Sequence, residues 1–304
     1  PVGAISQSSK GNLLAEFGEM KKAGVVAVTD DGHPVEDCQM MRRALEYGSN
    51  HDMLIISHPE EMSLSHDGAL NESPLSTRMG LRGIPRVAEE IMIYRDIALA
   101  EYTNRPVHIA HISNREAVDL VRRAKAKGTQ VTTETTPHYF TLTEEAVEGY
   151  NTFAKMNPPL RTEDDILAIQ TGLQDGTIDA IATDHAPHST VEKNVEFDLA
   201  ANGIIGLETS IPLTLKLVRK DIISPTKMVQ LLSVNPTRIL KIDGGNISTG
   251  KRADLTIIDP DLTFTYTEES VISKSHNSPF LDREMQGKAV LTVVDGKIVF
   301  DGLN

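Results

Sequence analysis

The run Pro106-Val107-His108-Ile109-Ala110-His111 sets the pattern on which the fold prediction rests. It is a short apolar stretch that ends in a polar side chain, and a stretch of helical periodicity follows it. Four more apolar runs recur along the chain, at residues 24–28, 53–56, 131–135 and 178–182. Helical patterns alternate with the runs, at residues 12–23, 35–47, 85–102, 114–127 and 164–175. Continuous rather than alternating hydrophobicity is typical of strands buried on both faces of a parallel sheet. The sequence therefore predicts an α/β fold, with five or so βα units of a (β/α)₈ barrel.

The last sixty residues have a different pattern. Residues 253–259 and 289–300 are β-rich, and Asp295-Gly296 predicts a hairpin turn within the second stretch. A sheet this small is marginal alone in water. We therefore expect residues 1–245 to form a partial catalytic barrel, and residues 246–304 to be a small β-domain segment that completes a composite β-sandwich.

Composition narrows the class of protein. The chain has 30 basic and 43 acidic residues, a formal charge of −13, which disfavours binding to nucleic acid. No apolar stretch reaches the ~20 residues that span a bilayer, and the first residues lack a signal-peptide pattern. The single cysteine, Cys38, excludes a disulfide framework and a thiolate metal cluster. We expect Cys38 to be a core residue of an amphipathic helix, and the protein to be cytoplasmic.

Polar residues that can bind a metal or move a proton follow the predicted strands. Four of them, Asp31, His58, His111 and Asp184, occupy equivalent positions in successive units. The carboxyl ends of parallel barrel strands meet at one mouth, so these side chains are expected to converge. Imidazole and carboxylate without thiolate favour zinc, manganese or iron(II). A single strand-end histidine is more often structural, and we assign His108 that role, but four equivalent positions favour a metal site.

Several motifs together resemble the dihydroorotases of the amidohydrolase superfamily, most closely the class I bacterial type. The motifs are Val28-Thr29-Asp30-Asp31-Gly32, His58-Pro59-Glu60-Glu61, His108-Ile109-Ala110-His111-Ile112-Ser113, Thr136-Pro137-His138, Asn157-Pro158-Pro159-Leu160-Arg161, Thr183-Asp184-His185-Ala186-Pro187-His188, Gly203-Ile204-Ile205-Gly206-Leu207-Glu208-Thr209 and Gly250-Lys251-Arg252-Ala253-Asp254-Leu255. The resemblance covers the whole chain and implies a metal-dependent TIM barrel of the amidohydrolase type with a small β-domain.

The resemblance also implies roles for individual residues. Asp31 would bridge two zinc ions, and His58 and His111 would hold the second of them. Asp184 would bind the first zinc and act as general base and acid. The substrate contacts would be Asn157, His188 and the backbone of Asn202 and Gly203. Pro59-Glu60-Glu61 stands where Cys-Glu-Asp is more usual in the family, and we expect this departure to touch no ligand.

The implied reaction is the reversible interconversion of dihydroorotate and N-carbamoyl-L-aspartate in pyrimidine biosynthesis. A hydantoinase-like or allantoinase-like cyclic amidase is one alternative, but those relatives bridge their metals with a carboxylated lysine, so Asp31 favours dihydroorotase. A non-catalytic scaffold that partners aspartate transcarbamoylase is the other alternative. A homodimer is also expected. Residues 189–201 resemble a loop that covers the substrate.

Features of the family that precede residue 31 are not found in this sequence. The family's His-x-His motif, which binds the first zinc, and an arginine just after it have no counterpart here. Roughly three βα units and the first half of the β-domain would be needed to supply them. We therefore expect a further N-terminal part, continuous with this chain or cleaved and still bound. The first zinc site would be incomplete without it, and an open barrel would expose two sheet edges.

Overall fold

The computed structural model describes residues 1–303 and is centred on a parallel sheet of six strands. Two further short strands pair with each other, and three longer strands form an antiparallel sheet near the C-terminus. The strands are β1 (Val2–Gly3), β2 (Ala27–Val28), β3 (Leu54–Ser57), β4 (Leu70–Asn71), β5 (Gly83–Ile84), β6 (Val107–Ile109), β7 (Val131–Thr135), β8 (Ala180–Ile181), β9 (Leu255–Tyr266), β10 (Arg283–Val294) and β11 (Lys297–Asp301). The order across the main sheet is β1-β2-β3-β6-β7-β8, and every neighbouring pair is parallel.

Helices follow the strands and cover the outer face of the curled sheet, α2 packing on α5, α5 on α6 and α6 on α7. The helices are α1 (Phe17–Lys22), α2 (Cys38–Asn50), α3 (Met62–Ser65), α4 (Pro74–Met79), α5 (Val87–Thr103), α6 (Arg115–Ala126), α7 (Glu163–Asp175), α8 (Thr190–Lys193), α9 (Leu207–Arg219), α10 (Pro225–Val229) and α11 (Asn235–Ile239). A π-helical turn, Gln230–Val234, joins the last two. This arrangement confirms the predicted α/β half-barrel.

The core lies between the sheet and its helices. Ile55 on β3 and Ile109 on β6 are each 1% exposed or less, as are Leu45 and Ile93 on the facing helices. Burying side chains of this size contributes roughly 1.5–3 kcal/mol each. The apolar runs therefore form strands whose neighbours on both sides exclude water, as continuous hydrophobicity predicts.

Side-chain caps fix where the helices of the barrel begin. The Asp37 carboxylate accepts a hydrogen bond from Met40 N at 2.6 Å at the start of α2. Asn114 caps α6 in the same way through Ala117 N. Thr162 and Asp165 form a capping box at the start of α7. Each cap therefore fixes the residue at which its helix begins.

The N-terminal region differs from the expectation in two respects. The first residues form a sixth parallel strand, β1, beside β2, whereas five strands were predicted. The predicted helix over residues 12–23 is shorter, since α1 spans only its second half. Ala15 N donates to Ile5 O at 2.9 Å, and Gln7 N donates to Leu13 O at 2.8 Å. These bonds hold residues 13–15 against the chain that leaves β1 and so prevent helical bonding there.

The prediction that Cys38 is a core residue is wrong. Cys38 is exposed. It is the first residue of α2, and the buried face of that helix is formed instead by residues that follow it, Met40, Met41, Ala44, Leu45 and Gly48. The amphipathic pattern was read correctly, but the helix begins at the Asp37 cap, which places Cys38 on the solvent side.

The C-terminal sheet confirms the hairpin at Asp295-Gly296, which joins β10 to β11. Both of its long strands extend further than the predicted ones. Between β9 and β10 the chain returns to the barrel, where Asn277 and Phe280 are buried. The division at residue 245 stays a prediction. In residues 1–303, no helix combines the length and the apolar character needed to cross a bilayer.

Candidate metal centre

Three of the four predicted metal ligands meet at the carboxyl ends of β2, β3 and β6. His58 Nδ1 lies 2.9 Å from His111 Nε2 and 3.5 Å from Asp31 Oδ1. His111 Nε2 lies 3.4 Å from the same carboxylate oxygen. Both histidines are buried, whereas 53% of the Asp31 side chain is exposed. The three donor atoms thus form a small triangle that faces the mouth of the half-barrel.

The triangle has the dimensions of one face of a tetrahedral zinc site. Zinc–nitrogen and zinc–oxygen bonds of about 2.0–2.2 Å place neighbouring ligand atoms about 3.3–3.5 Å apart. Two of the observed separations, 3.4 and 3.5 Å, agree with that spacing, and the nitrogens of His58 and His111 are closer together, at 2.9 Å. Two imidazoles and a carboxylate also suit a borderline-soft divalent cation. Asp31, His58 and His111 therefore fit a metal ion once the two imidazole nitrogens move slightly apart.

Asp31 and the two imidazoles influence one another's ionisation. Hydrogen bonds from His111 and His58 hold the pKa of Asp31 well below its usual range, so it is ionised. Burial would lower the pKa of His111, but Asp31 and Asp184 raise it to about 9. The pKa of His58 is also raised, because Asp31 and Glu60 outweigh its burial. A bound metal would therefore replace a proton on His111.

The fourth predicted ligand, Asp184, stands apart from the triangle. The ligand atoms of the other three lie within 4.8 Å of one another, and Asp184 is not a member of that group. It acts on the group electrostatically, through His111, Asp31 and His58. Burial and the Asp31 carboxylate raise the pKa of Asp184, while His111 opposes that rise. Asp184 is therefore placed to exchange a proton beside the cluster.

Backbone strain is concentrated at two of these residues. His111 has a φ of 33° and Asp184 a φ of 46°, values in the left-handed region that side chains rarely adopt. Such a conformation costs of order 1–3 kcal/mol and is found most often at functional sites. In both cases the turn follows directly after a strand. The left-handed turn directs the side chain of His111 or Asp184 into the mouth of the half-barrel, whereas a strand that continued straight would direct it elsewhere.

A third buried histidine, His138, follows β7. Burial and the neighbouring His111 lower the pKa of His138 to about 3, so its ring is neutral. Its Nε2 atom and His111 Nδ1 are buried, and neither has a hydrogen-bond partner within residues 1–303. His138 belongs to the motif Thr136-Pro137-His138, for which the sequence predicted no role.

The expectation that Pro59-Glu60-Glu61 touches no ligand is wrong. Glu60 Oε2 lies 3.0 Å from His58 Nε2, on the side of the ring opposite the triangle. The same oxygen accepts a hydrogen bond from Asn157 Nδ2 at 2.8 Å. Burial would raise the pKa of Glu60, but His58 and Asn157 bring it to about 2. A signal existed in the sequence, because Glu60 is two residues from a predicted ligand.

The predicted substrate contacts fall into two places. Asn157 lies with Glu60 and His58, beside the triangle. His188, Asn202 and Gly203 lie together: His188 Nε2 is 2.8 Å from Asn202 O, and Gly203 has a φ of 109°. Gly203 suits that backbone, and an added Cβ would meet Ala186 Cβ at 2.4 Å.

Asn277 organises this second place and was missed from the sequence. Its side-chain amide donates to Ala186 O at 2.9 Å and to Gly203 O at 3.1 Å. Its Oδ1 atom accepts a hydrogen bond from His188 N at 3.1 Å. Asn277 comes from the segment between β9 and β10, so local sequence around the barrel motifs carried no signal for it.

Two buried lysines tie residues 189–201 to the rest of the site. Lys193 Nζ donates to Ala201 O at 2.6 Å and to Thr152 O at 3.1 Å. Lys155 Nζ donates to Asp198 O at 2.8 Å and to the backbone carbonyl of Ala200. Burial and the charge of Lys155 lower the pKa of Lys193 to about 8. This loop is fastened beside Asn157, and its role as a substrate cover stays a prediction.

The comparison with protein families agrees with this geometry. The Amidohydrolase family matches residues 7–299, almost the whole chain. The chain belongs to the amidohydrolase family. This amidohydrolase is 56% identical over 299 residues to the dihydroorotase of Geotalea daltonii, covering 98% of this chain and 70% of that protein. It is 55% identical over 300 residues to the dihydroorotase of Syntrophotalea carbinolica, covering 99% and 71%.

Solved structures of the same fold are more distant in sequence. The L-hydantoinase of Arthrobacter aurescens has a TM-score of 0.84 at 24% identity, covering 99% of this chain and 69% of its own. A D-hydantoinase has a TM-score of 0.82 at 21% identity, covering 99% and 68%. At such identities the likeness concerns the fold alone. It confirms that this amidohydrolase has the barrel architecture predicted from its strands.

Proposed function

We propose that this amidohydrolase is a zinc-dependent dihydroorotase, which interconverts dihydroorotate and N-carbamoyl-L-aspartate. The identity of 53–56% to dihydroorotases over nearly the whole chain carries the proposal. The Asp31–His58–His111 triangle supports it, because hydrolysis of a ring amide at neutral pH needs a metal or an equivalent electrophile. The hydantoinases match at no more than 24% identity and do not favour the alternative ring substrates.

In the proposed reaction Asp31, His58 and His111 hold zinc, and the bound ion supplies positive charge that polarises the ring amide and activates water. Asp184 accepts the proton of the attacking water and passes it to the ring nitrogen that leaves. Its partly buried position beside Asp31 suits a carboxyl that must hold a proton during the reaction. In the reverse reaction, ring closure, Asp184 takes the proton from the attacking nitrogen and returns it to the oxygen that leaves as water.

The proposal places the substrate between the two groups of predicted contacts. Asn157 supplies an amide on the His58 side. His188 and the backbone of Asn202 and Gly203 supply further polar groups, on a loop that Asn277 fixes. Because these groups are polar and rigidly held, they suit a small, anionic, hydrogen-bonding ring.

We also propose a second zinc, which Asp31 and Asp184 would help to hold. Its remaining ligands would come with strands that pair with the outer edges of β1 and β8, since neither edge is paired to a further named strand within residues 1–303. Completing a barrel removes both edges. We expect residues 1–304 alone to bind one zinc per chain and the protein in its natural full length to bind two, as measured by elemental analysis of dialysed protein. Equal stoichiometry in both would contradict this.

The activity is tested with the protein in its natural full length, supplied with zinc, on dihydroorotate, hydantoin and allantoin. We expect turnover of dihydroorotate only, and its loss in His58→Ala. His66→Ala is the matched control, because His66 is an exposed histidine away from the cluster. Faster turnover of hydantoin or allantoin, or full activity in His58→Ala, would refute the proposal. An inactive protein that binds zinc would favour the scaffold alternative.

The homodimer, association with aspartate transcarbamoylase and a cytoplasmic location stay predictions from the resemblance.

A further inference from the structure

Glu60 links two parts of the site that are far apart in sequence. Its carboxylate is 8% exposed and sits between the ring of His58 and the amide of Asn157. Oxygen Oε2 is 3.0 Å from His58 Nε2 and 2.8 Å from Asn157 Nδ2.

The first of these contacts orients a metal ligand. His58 presents Nδ1 to Asp31 and His111, so the lone pair for a metal must be on that nitrogen. A neutral imidazole then carries its proton on Nε2, the atom that faces Glu60. A carboxylate in this place selects the tautomer, fixes the plane of the ring and increases its basicity.

The second contact orients a predicted substrate group. Asn157 Nδ2 donates to Glu60, which determines how the amide is turned and leaves its oxygen for another partner. Glu60 does not cap the neighbouring helix: the start of α3 is capped by Glu61, which accepts from Ser63 N and Oγ. The buried carboxylate of Glu60 therefore serves the site rather than the local helix.

We propose that Glu60 is a positioning residue that couples the metal ligand His58 to the substrate contact Asn157 through one carboxylate oxygen. The inference rests on the proposed function, because it takes His58 as a zinc ligand and Asn157 as a substrate contact. Metal binding on one side and substrate binding on the other then depend on the same side chain.

The metal arm of the test is a zinc titration of Glu60→Gln against a chelating indicator, with the protein in its natural full length. Loss of a carboxylate that supports a ligand histidine weakens metal affinity by about 10–100-fold. Glu61→Gln is the matched control, because it removes an adjacent negative charge that accepts from Ser63 rather than from His58 or Asn157, and it should leave the affinity unchanged. His58→Ala separates the two hypotheses: if it does not weaken zinc binding, the metal site itself is wrong. If it does and Glu60→Gln does not, only the present inference fails.

The substrate arm is a double-mutant cycle on zinc-saturated protein. We expect Asn157→Ala to raise KM for dihydroorotate and Glu60→Gln to raise it as well, because the amide loses its orientation. In the double variant the rise should be no larger than the larger single effect. Independent, multiplying effects would overturn the coupling. So would a Glu60→Gln variant that only unfolds more easily while its zinc affinity and KM are those of the parent.

Discussion

Asp184 combines a strained backbone with a position beside, but outside, the ligand triangle. Its φ of 46° turns the side chain towards the mouth, and burial together with Asp31 raises its pKa. His111 shows the same strain, with a φ of 33°. Two residues held in the left-handed region after β6 and β8 indicate that local backbone strain is tolerated where it places these side chains.

We predict that Asp184→Asn abolishes proton transfer without unfolding the protein. Asparagine has the same shape and tolerates the left-handed region, but it cannot accept the water proton. General acid–base groups contribute about 10²–10⁴-fold, so kcat should fall by that factor in steady-state assays of the full-length protein. Asp164→Asn, at a carboxylate 77% exposed, is the control. More than half of the parental kcat in Asp184→Asn would contradict the assignment.

Zinc binding should strengthen as the pH rises from 6 to 8. His111 has a pKa of about 9 in the metal-free protein, so below that pH zinc must displace its proton. One displaced proton weakens the apparent affinity about tenfold for each unit that the pH falls. Chelator competition at three pH values measures the slope, and proton release into a weak buffer checks its cause. An affinity that does not change with pH would show that the imidazoles are already deprotonated.

At the scale of the elements, one buried arginine holds three loops of the site together. Arg161 is 3% exposed and its guanidinium donates to Asn71 Oδ1 at 2.7 Å and to Ile84 O at 3.0 Å. It also lies 3.6 Å from Glu89 on α5, whose carboxylate accepts a hydrogen bond from Ser113 N at 2.8 Å. Ser113 lies in the loop that carries His111, and Arg161 lies in the loop that carries Asn157. The cluster therefore connects these two loops.

We predict that Arg161→Met destabilises the protein by about 3–5 kcal/mol, because Glu89 is left buried without its cation. The double variant Arg161→Met, Glu89→Met should be less destabilised than the sum of the single variants. Urea unfolding measures both. Arg78→Met, which breaks an exposed pair with Glu148, should cost less than about 1 kcal/mol. Additive single effects would show that Arg161 and Glu89 do not stabilise each other.

At the scale of the whole molecule, stability should decrease as the pH falls below about 6.5. The folded protein keeps the pKa of His138 at about 3, against the ordinary histidine value of 6.5 in the unfolded chain. Between these values only the unfolded state binds the proton, so acid favours unfolding. For one proton the slope is up to about 1.4 kcal/mol per pH unit.

The measurement is urea unfolding of metal-free protein at pH 7, 6 and 5, compared with His138→Gln. The variant should lose less stability than the parent over this range, because glutamine has no proton to bind. His66→Gln, at an exposed histidine, should follow the parent curve. If the curves of His138→Gln and the parent are parallel, another group is responsible for the acid sensitivity.

Much of the architecture follows from local pattern alone. The apolar runs predicted the parallel strands β2, β3, β6, β7 and β8, because a strand buried on both faces needs a continuous hydrophobic stretch. Asp31, His58 and His111 were selected because each follows such a run, and strand ends in a barrel share one mouth. Capping at Thr162 was likewise readable, since its partner is three residues away.

Only the tertiary structure decided the contacts between distant segments. Glu60 meets Asn157 across 97 residues, and Asn277 meets His188 across 89. No periodicity relates such positions, so a sequence pattern has no information about them. The exposure of Cys38 and the pairing of β1 with β2 were decided in the same way. The physical reason is that local propensity and burial place each side chain on an element, whereas its partners depend on how the elements pack.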